Sequence, residues 1–346
     1  MSVQNRTADK ATSVNYHLKP FEEWLNDDDV TEIAVNRPNE VFIEKQSTWE
    51  CHKRDNLDYA HLNSLATAIA KYCDTDINDS NPILSAVLPN DERIQVVRPP
   101  ACEADTISIT IRKPSFTTRT LSNYEEQGFF SKIKPTSNEL TIDEKKLLDL
   151  KEAQDYSGFL KLAVKLEKVI VVAGETGSGK TTFMKALMQE IPKEDRIITI
   201  EDVPELFLPN HPNHVHLFYP SEASEENNSP VTSAKLLKSC LRMKPNRILL
   251  AELRGGETFD FINVCASGHG GSITSCHAGS AALTFERLAL MTLQNRQGRT
   301  LPSHVIESLL YMTIDVVIHV TNDIHGGLGR HITELWYDPM KKRRSK

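Results

Sequence analysis

The stretch Gly174-Glu175-Thr176-Gly177-Ser178-Gly179-Lys180-Thr181-Thr182 carries the clearest chemistry in this chain. It fits G-x-x-x-x-G-K-[ST], a loop that binds the phosphates of a nucleoside triphosphate. The glycines let backbone N–H groups turn inward around phosphate oxygens, and a helix starting just after them adds partial positive charge. Lys180 is placed to reach the β- and γ-phosphates, and the Thr181 hydroxyl to ligate Mg²⁺. The flanks agree with this reading. The apolar run 169–173 predicts a buried strand entering the loop, and 182–190 predicts a helix leaving it.

Further groups sit where such a site would use them. Residues 247–251 form a second apolar strand that ends on Glu252, the Walker B arrangement, followed by Arg254-Gly255-Gly256-Glu257. A strand beside the loop strand would bring Glu252 to Mg²⁺ or to its water. Glu201, Asp202 and Glu205 cluster around Pro204 at another predicted strand end. Strand C-termini in open α/β sheets face the ligand crevice, so one of these acids could orient or deprotonate an attacking water. His277 follows a short strand predicted over 272–276, a place from which it could sense a γ-phosphate. A lone histidine is more often structural; the company of the other strand-end motifs gives this one weight. His269 reads as a turn-setting residue. His211, His214 and His216 have H-x₂-H-x-H spacing, which suits a metal only with a second group of ligands, and the sequence supplies none.

The elements needed to hold these groups predict an α/β chain. Residues 1–15 are expected to be disordered and 16–118 to form an α+β domain. That domain has a hairpin (31–36 and 40–44), a helix (59–72) and strands at 83–88, 93–97 and 107–111. Residues 119–156 read as a linker with short helices, long for a connection inside a protein. From 157 to 346 strands alternate with helices. The strands are expected at 168–173, 196–201, 247–251, 272–276 and 314–320, a pattern that argues for a mostly parallel sheet covered by helices.

Composition narrows the class. A chain of 346 residues suggests two domains, and a net charge of -7 gives no global case for nucleic-acid binding. No apolar run is long enough to span a bilayer, and the polar N-terminus lacks a signal-peptide core. The six cysteines are scattered without a C-x-x-C pair, so they read as reduced thiols of a cytosolic protein. The basic tail Lys341–Arg344 reads as a solvated end, with anionic lipid as the sharper alternative.

The motif order is that of the secretion-superfamily hexameric ATPases: the loop, then Ile-Glu-Asp-x-x-Glu at 200–205, the strand ending on Glu252 with Arg-Gly-Gly-Glu, then Gly268-His-Gly-Gly-Ser and His277-Ala. Within them the chain resembles the ATPase of bacterial type IV secretion systems over residues 15–340. Thr31–Pro38, Glu92–Pro100 and Ile109–Ser115 carry that narrower resemblance. It implies an N-terminal α+β domain followed by a RecA-like P-loop ATPase domain, assembled as a homo-hexamer. The ring would hydrolyse ATP with Mg²⁺ to power substrate export and pilus assembly. It would lie peripherally on the cytoplasmic face of the inner membrane, with other secretion components as partners, including the inner-membrane ATPases and the coupling protein. The resemblance makes Glu205 the general base, Glu201 an accessory acid, Glu252 the Mg²⁺-side acid and His277 the phosphate sensor. It makes Arg112 a clamp over the phosphates, ahead of Arg93 and Arg98. The long linker could also let the ATPase domain pack against a neighbour's N-terminal domain.

Ala251, where many relatives carry Gly, departs from the pattern in a small way. A type II secretion or pilus motor is the nearest alternative, but many of those carry a four-cysteine zinc module absent here. A nucleic-acid motor and a non-catalytic ATP-binding scaffold are alternatives of other classes. The acidic charge opposes the first, and no sequence-specific nucleic-acid binding is expected.

Overall fold

Residues 30–53 alternate apolar runs with turn residues. They fold as antiparallel strands β1 (Val30–Val35), β2 (Glu40–Lys45) and β3 (Thr48–Lys53). The computed structural model describes residues 3–115, 118–133, 138–223 and 229–344. β4 (Ile83–Val87), β5 (Arg93–Val97) and β6 (Ser108–Arg112) complete an antiparallel sheet in the order β3-β2-β1-β6-β5-β4. Helices α1 (Val3–Leu18), α2 (Glu22–Leu25) and α3 (Tyr59–Tyr72) accompany it. Asp58 caps α3, and Leu62, Leu65, Ala66 and Ile69 bury the stripe expected from their spacing. One expectation fails here. Residues 1–15, expected to be disordered, are helical from Val3, and Val14 is fully buried. Val14 and Leu18, four apart, face the same core, and the polar residues around them hid that stripe.

An exposed connection follows, with α4 (Leu121–Glu126) between surface-exposed Leu121, Phe129 and Ile133. The linker ends earlier than the expected residue 156. Helices α5 (Ile142–Glu152) and α6 (Tyr156–Lys165) belong to the second unit, where Leu147 and Phe159 are fully buried with Met184.

The second unit runs β7 (Ile170–Gly174), α7 (Lys180–Met188), β8 (Ile197–Glu201), β9 (His214–Phe218), α8 (Ser233–Cys240), β10 (Arg247–Leu253) and α9 (Glu257–Ala266). It continues through β11 (Ile273–Cys276), α10 (Ala281–Thr292), α11 (Ser303–Thr313), β12 (Val316–Asp323), β13 (Gly329–Tyr337) and α12 (Pro339–Arg344). The sheet order is β13-β12-β7-β11-β10-β8-β9, parallel except for β13. Both faces of its inner strands are buried. In β7, Ile170 and Val172 join one core while Val171 and Ala173 join the other. Burial on both sides is why these strands read as continuous apolar runs.

The two sheets meet through polar groups. Arg196, just before β8, is completely buried. Its Nε donates to the Met243 carbonyl at 2.9 Å, and Nη1 donates to Asn36 Oδ1 at 2.7 Å and to Asn213 Oδ1 at 2.5 Å. Asn36 Nδ2 also donates to Asn213 Oδ1 at 3.0 Å, and Gln95 Nε2 to Ser239 Oγ at 3.0 Å. The Phe218 N–H donates to the Ala101 carbonyl at 2.9 Å, so the β5–β6 loop lies along β9. The N-terminal unit therefore packs on the second unit within one chain.

Glu32 on β1 is 3% exposed. Burial raises its pKa from an ordinary 4.5 to about 7, and Arg112 and Lys244 offset this only in part. Because the folded value lies above the unfolded one, the associated stability is full below about pH 4.5. It is lost as the pH rises through about 7. Glu32→Gln removes a penalty on the order of 2 kcal/mol at high pH. Thermal midpoints of the two proteins at pH 5 and pH 8 test this: the variant gains a few degrees relative to wild type at pH 8. An equal difference at both pH values would refute it.

Candidate active site

β7 leads straight into the phosphate-type loop. Gly174 has φ +157°, and a Cβ there would lie 2.2 Å from the Val320 carbonyl oxygen of β12. Gly179 caps α7 at φ +96°, a left-handed conformation that opens the loop into the helix. Glu175, Thr176 and Gly177 are exposed, Thr181 is half-buried and Thr182 is exposed. Lys180 is buried and folds back over the loop, with Nζ donating to the Gly174 carbonyl at 3.1 Å and the Glu175 carbonyl at 2.9 Å. Ser178 Oγ is buried without a hydrogen-bond partner among the described residues. A cradle of loop N–H groups with a lysine on hand and an orphaned hydroxyl fits a bound phosphate.

From Lys180 a chain of contacts runs along the C-terminal edge of the sheet. Lys180 Nζ is 3.4 Å from His277 Nδ1, and His277 Nε2 is 2.8 Å from Glu252 Oε1. Burial lowers the Lys180 pKa, with Glu252 acting against it. Glu252 Oε2 accepts from Arg254 Nε at 2.6 Å, and Arg254 Nη1 donates to Asp202 Oδ2 at 2.5 Å. Burial lowers the Arg254 pKa, but these two carboxylates outweigh it and the net shift is upward. The sequence placed the Glu252 strand directly beside β7. The structure corrects this: β11 lies between β7 and β10, and His277, the residue after it, stands between Lys180 and Glu252.

Glu201 is completely buried at the end of β8. Its Oε2 accepts the backbone N–H groups of Glu205 and Leu206, each at 2.8 Å. Its Oε1 accepts from the Thr199 hydroxyl at 2.6 Å and lies 3.1 Å from His216 Nδ1. Burial pushes its pKa up, but the hydrogen bonds from His216, Thr199 and the two backbone groups outweigh this and hold it low. Glu201 thus stays ionised and fixes the loop on which Glu205 stands exposed.

Arg112 is not brought to this site within the chain. It ends β6, with Nε 3.6 Å from Glu32 Oε1, and shares a hollow with Arg93, Lys113 and Lys244. Lys244 precedes β10, whereas Glu252 lies near its other end, roughly 20 Å away at strand rise. Arg112 therefore does not stand over the phosphate loop of its own chain. Arg98 pairs with Asp79.

Sequence reasoning missed Arg254 as a partner of both acids, although it stands two residues from Glu252. It also missed Arg330, whose Nε donates to the Gly177 carbonyl at 3.2 Å. Arg330 stands on β13, an edge strand with no clear alternation, so nothing in the sequence tied it to the loop.

The histidine cluster splits. His211 Nε2 lies 2.9 Å from the Ile191 carbonyl, while His214 and His216 share one face of β9. Burial, reinforced by nearby Arg37, brings His214 down to about 4.

The profile of the Type II/IV secretion system protein family matches residues 15–324. The chain belongs to that family. This secretion ATPase is 70% identical over 334 residues to the type IV secretion system protein VirB11 of Brucella abortus strain 2308, covering 96% of this chain and 92% of that one. It is 44% identical over 329 residues to the type IV secretion system protein PtlH of Bordetella pertussis strain Tohama I, covering 95% and 96%. A crystal structure of the VirB11 ATPase from the Brucella suis type IV secretion system, in complex with sulphate, matches with a TM-score of 0.94. It is 66% identical, and 99% of each chain is covered. The secretion ATPase is of the type IV kind, and the pilus-motor and helicase alternatives fall away. Among the described residues no helix is long and apolar enough to cross a membrane.

Proposed function

We propose that this ATPase hydrolyses ATP with Mg²⁺ as one subunit of a six-membered ring, on the cytoplasmic face of the inner membrane, and that turnover drives type IV secretion. The observation that carries the site reading is the contact chain Lys180–His277–Glu252 along the strand ends. In this reading the loop N–H groups and Lys180 bind the phosphates, and Lys180 leaves the Gly174 and Glu175 carbonyls to do so. Thr181 and Glu252 would hold Mg²⁺, which neutralises phosphate charge. His277, between Lys180 and Glu252, reports the γ-phosphate to the rest of the edge. Glu205 takes the proton from the attacking water, and Glu201 is a positioning residue that holds the Glu205 backbone.

The distance of Arg112 from the loop supports a ring. If an N-terminal arginine closes on the phosphates, another copy supplies it. The other secretion components and the inner membrane would contact this ring from outside.

Mass measurement of the purified protein, with and without ATP and Mg²⁺, tests the assembly. A particle of six 39.0 kDa subunits is expected with nucleotide. A monomer under all conditions, with phosphate release intact, would remove the ring while leaving the hydrolysis.

A further inference from the structure

We propose that Glu103, His214 and His216 form a site for one divalent transition-metal ion, best suited to Zn²⁺, at the junction of the two sheets. The ligand atoms of these three residues all lie within 4.8 Å of one another. Glu103 is the second ligand group that the sequence spacing lacked. It arrives from the β5–β6 loop, which the Cys102–Leu217 bridge and the Phe218 N–H to Ala101 carbonyl bond hold against β9.

The histidines are oriented as ligands are. Their rings meet edge to face with centroids 4.9 Å apart. His214 Nδ1 lies 2.5 Å from the His211 carbonyl, an acceptor, so that nitrogen carries the proton and Nε2 keeps its lone pair. His216 Nδ1 lies 2.7 Å from Thr199 Oγ1 and 3.1 Å from Glu201 Oε1, which again leaves Nε2 as the free lone pair. A carboxylate behind one imidazole and a backbone carbonyl behind the other are the outer partners that metal-bound histidines have. Two imidazoles, one carboxylate and an open position make a donor set that zinc accepts. Tetrahedral ligands about 2.0–2.2 Å from zinc sit roughly 3.5 Å apart, so small side-chain rotations close the site.

One group competes. Arg37 Nη2 lies 3.0 Å from His214 Nε2, while its Nη1 pairs with Glu40 Oε1 at 2.9 Å. Metal entry replaces the first contact and leaves the second. The occupied site would clip the N-terminal unit to β9 and, through His216, bear on Glu201.

The test uses the full chain, free of any tag, stripped of metal and titrated with ZnCl₂ by calorimetry. One equivalent should bind at micromolar concentration or below. Glu103→Gln and His216→Gln should each weaken it at least tenfold, and Arg37→Gln should tighten it. Cys51→Ser/Cys73→Ser, which removes the exposed thiols, should leave it unchanged. Circular dichroism checks that each variant folds, and Glu103→Gln, a loop change, keeps the test decisive should His216→Gln misfold. Absence of saturable binding, binding indifferent to Glu103→Gln, weaker binding in Arg37→Gln, or loss in the double cysteine variant would each overturn the site. None of these readouts depends on ATP turnover.

Discussion

Lys180→Ala lowers ATP turnover by roughly 10³-fold, the scale expected when a charge aimed at a transferring phosphoryl group is removed. Lys180 is buried, and its ammonium group is held by two loop carbonyls beside His277. Those bonds hold the charge at the mouth of the loop, from which it swings onto the phosphate oxygens when nucleotide enters. Alanine removes the charge and also the contact that links the loop to His277 and Glu252. Phosphate release by the purified variant, compared with wild type under saturating ATP and Mg²⁺, measures the loss. A matched thermal midpoint separates a chemical defect from an unfolded one. Turnover within a few-fold of wild type would place the hydrolytic site elsewhere.

Arg196→Ala destabilises the fold by about 3–5 kcal/mol, because it empties a buried volume and takes a donor from several buried acceptors at once. The Met243 carbonyl, Asn36 Oδ1 and Asn213 Oδ1 all lose a donor in a place water does not reach. Arg196→Lys should rescue little. One ammonium cannot reproduce a planar fork that reaches Met243 on one side and the two asparagines on the other. Urea unfolding followed by tryptophan emission suits the test, since the guanidinium lies 5.5 Å from the Trp49 ring. A midpoint unchanged in both variants would mean that the seam is held by other contacts.

The sequence made the parallel sheet legible where strands are buried on both sides. The runs at 169–173 and 247–251 announced β7 and β10 by continuous apolarity. β9 and β13 stayed hidden, because His214 and His216 interrupt the first and polar, half-exposed residues fill the second. The loop could be found from motif spacing, since its backbone geometry calls for glycine, and the strand-end motifs marked Glu252 and His277, which the fold brings into contact. The insertion of β11 between β7 and β10 could not, because strand order depends on packing among helices that no local pattern encodes. Glu201 shows the same limit. Its place in the motif suggested an acid near water, but only the fold reveals that its oxygens are taken up by Thr199, His216 and the Glu205 loop. Arg112 was legible as a basic residue at a strand end, and its separation from the loop was not.

β10 ties the two halves together in a way neither site shows alone. Its first residue donates its N–H to the Arg196 carbonyl at 3.1 Å, and Glu252 stands near its last. A strand hydrogen-bonded to neighbours on both sides and packed at crystal-like density scarcely stretches. Movement of Glu252 is therefore felt at the Arg196 seam about one strand length, ~20 Å, away. The phosphate-loop edge and the Arg196 seam stand at opposite ends of this one strand. In the proposed ring, so stiff a rod would carry an adjustment at one subunit's phosphate loop to the foot of its own N-terminal sheet.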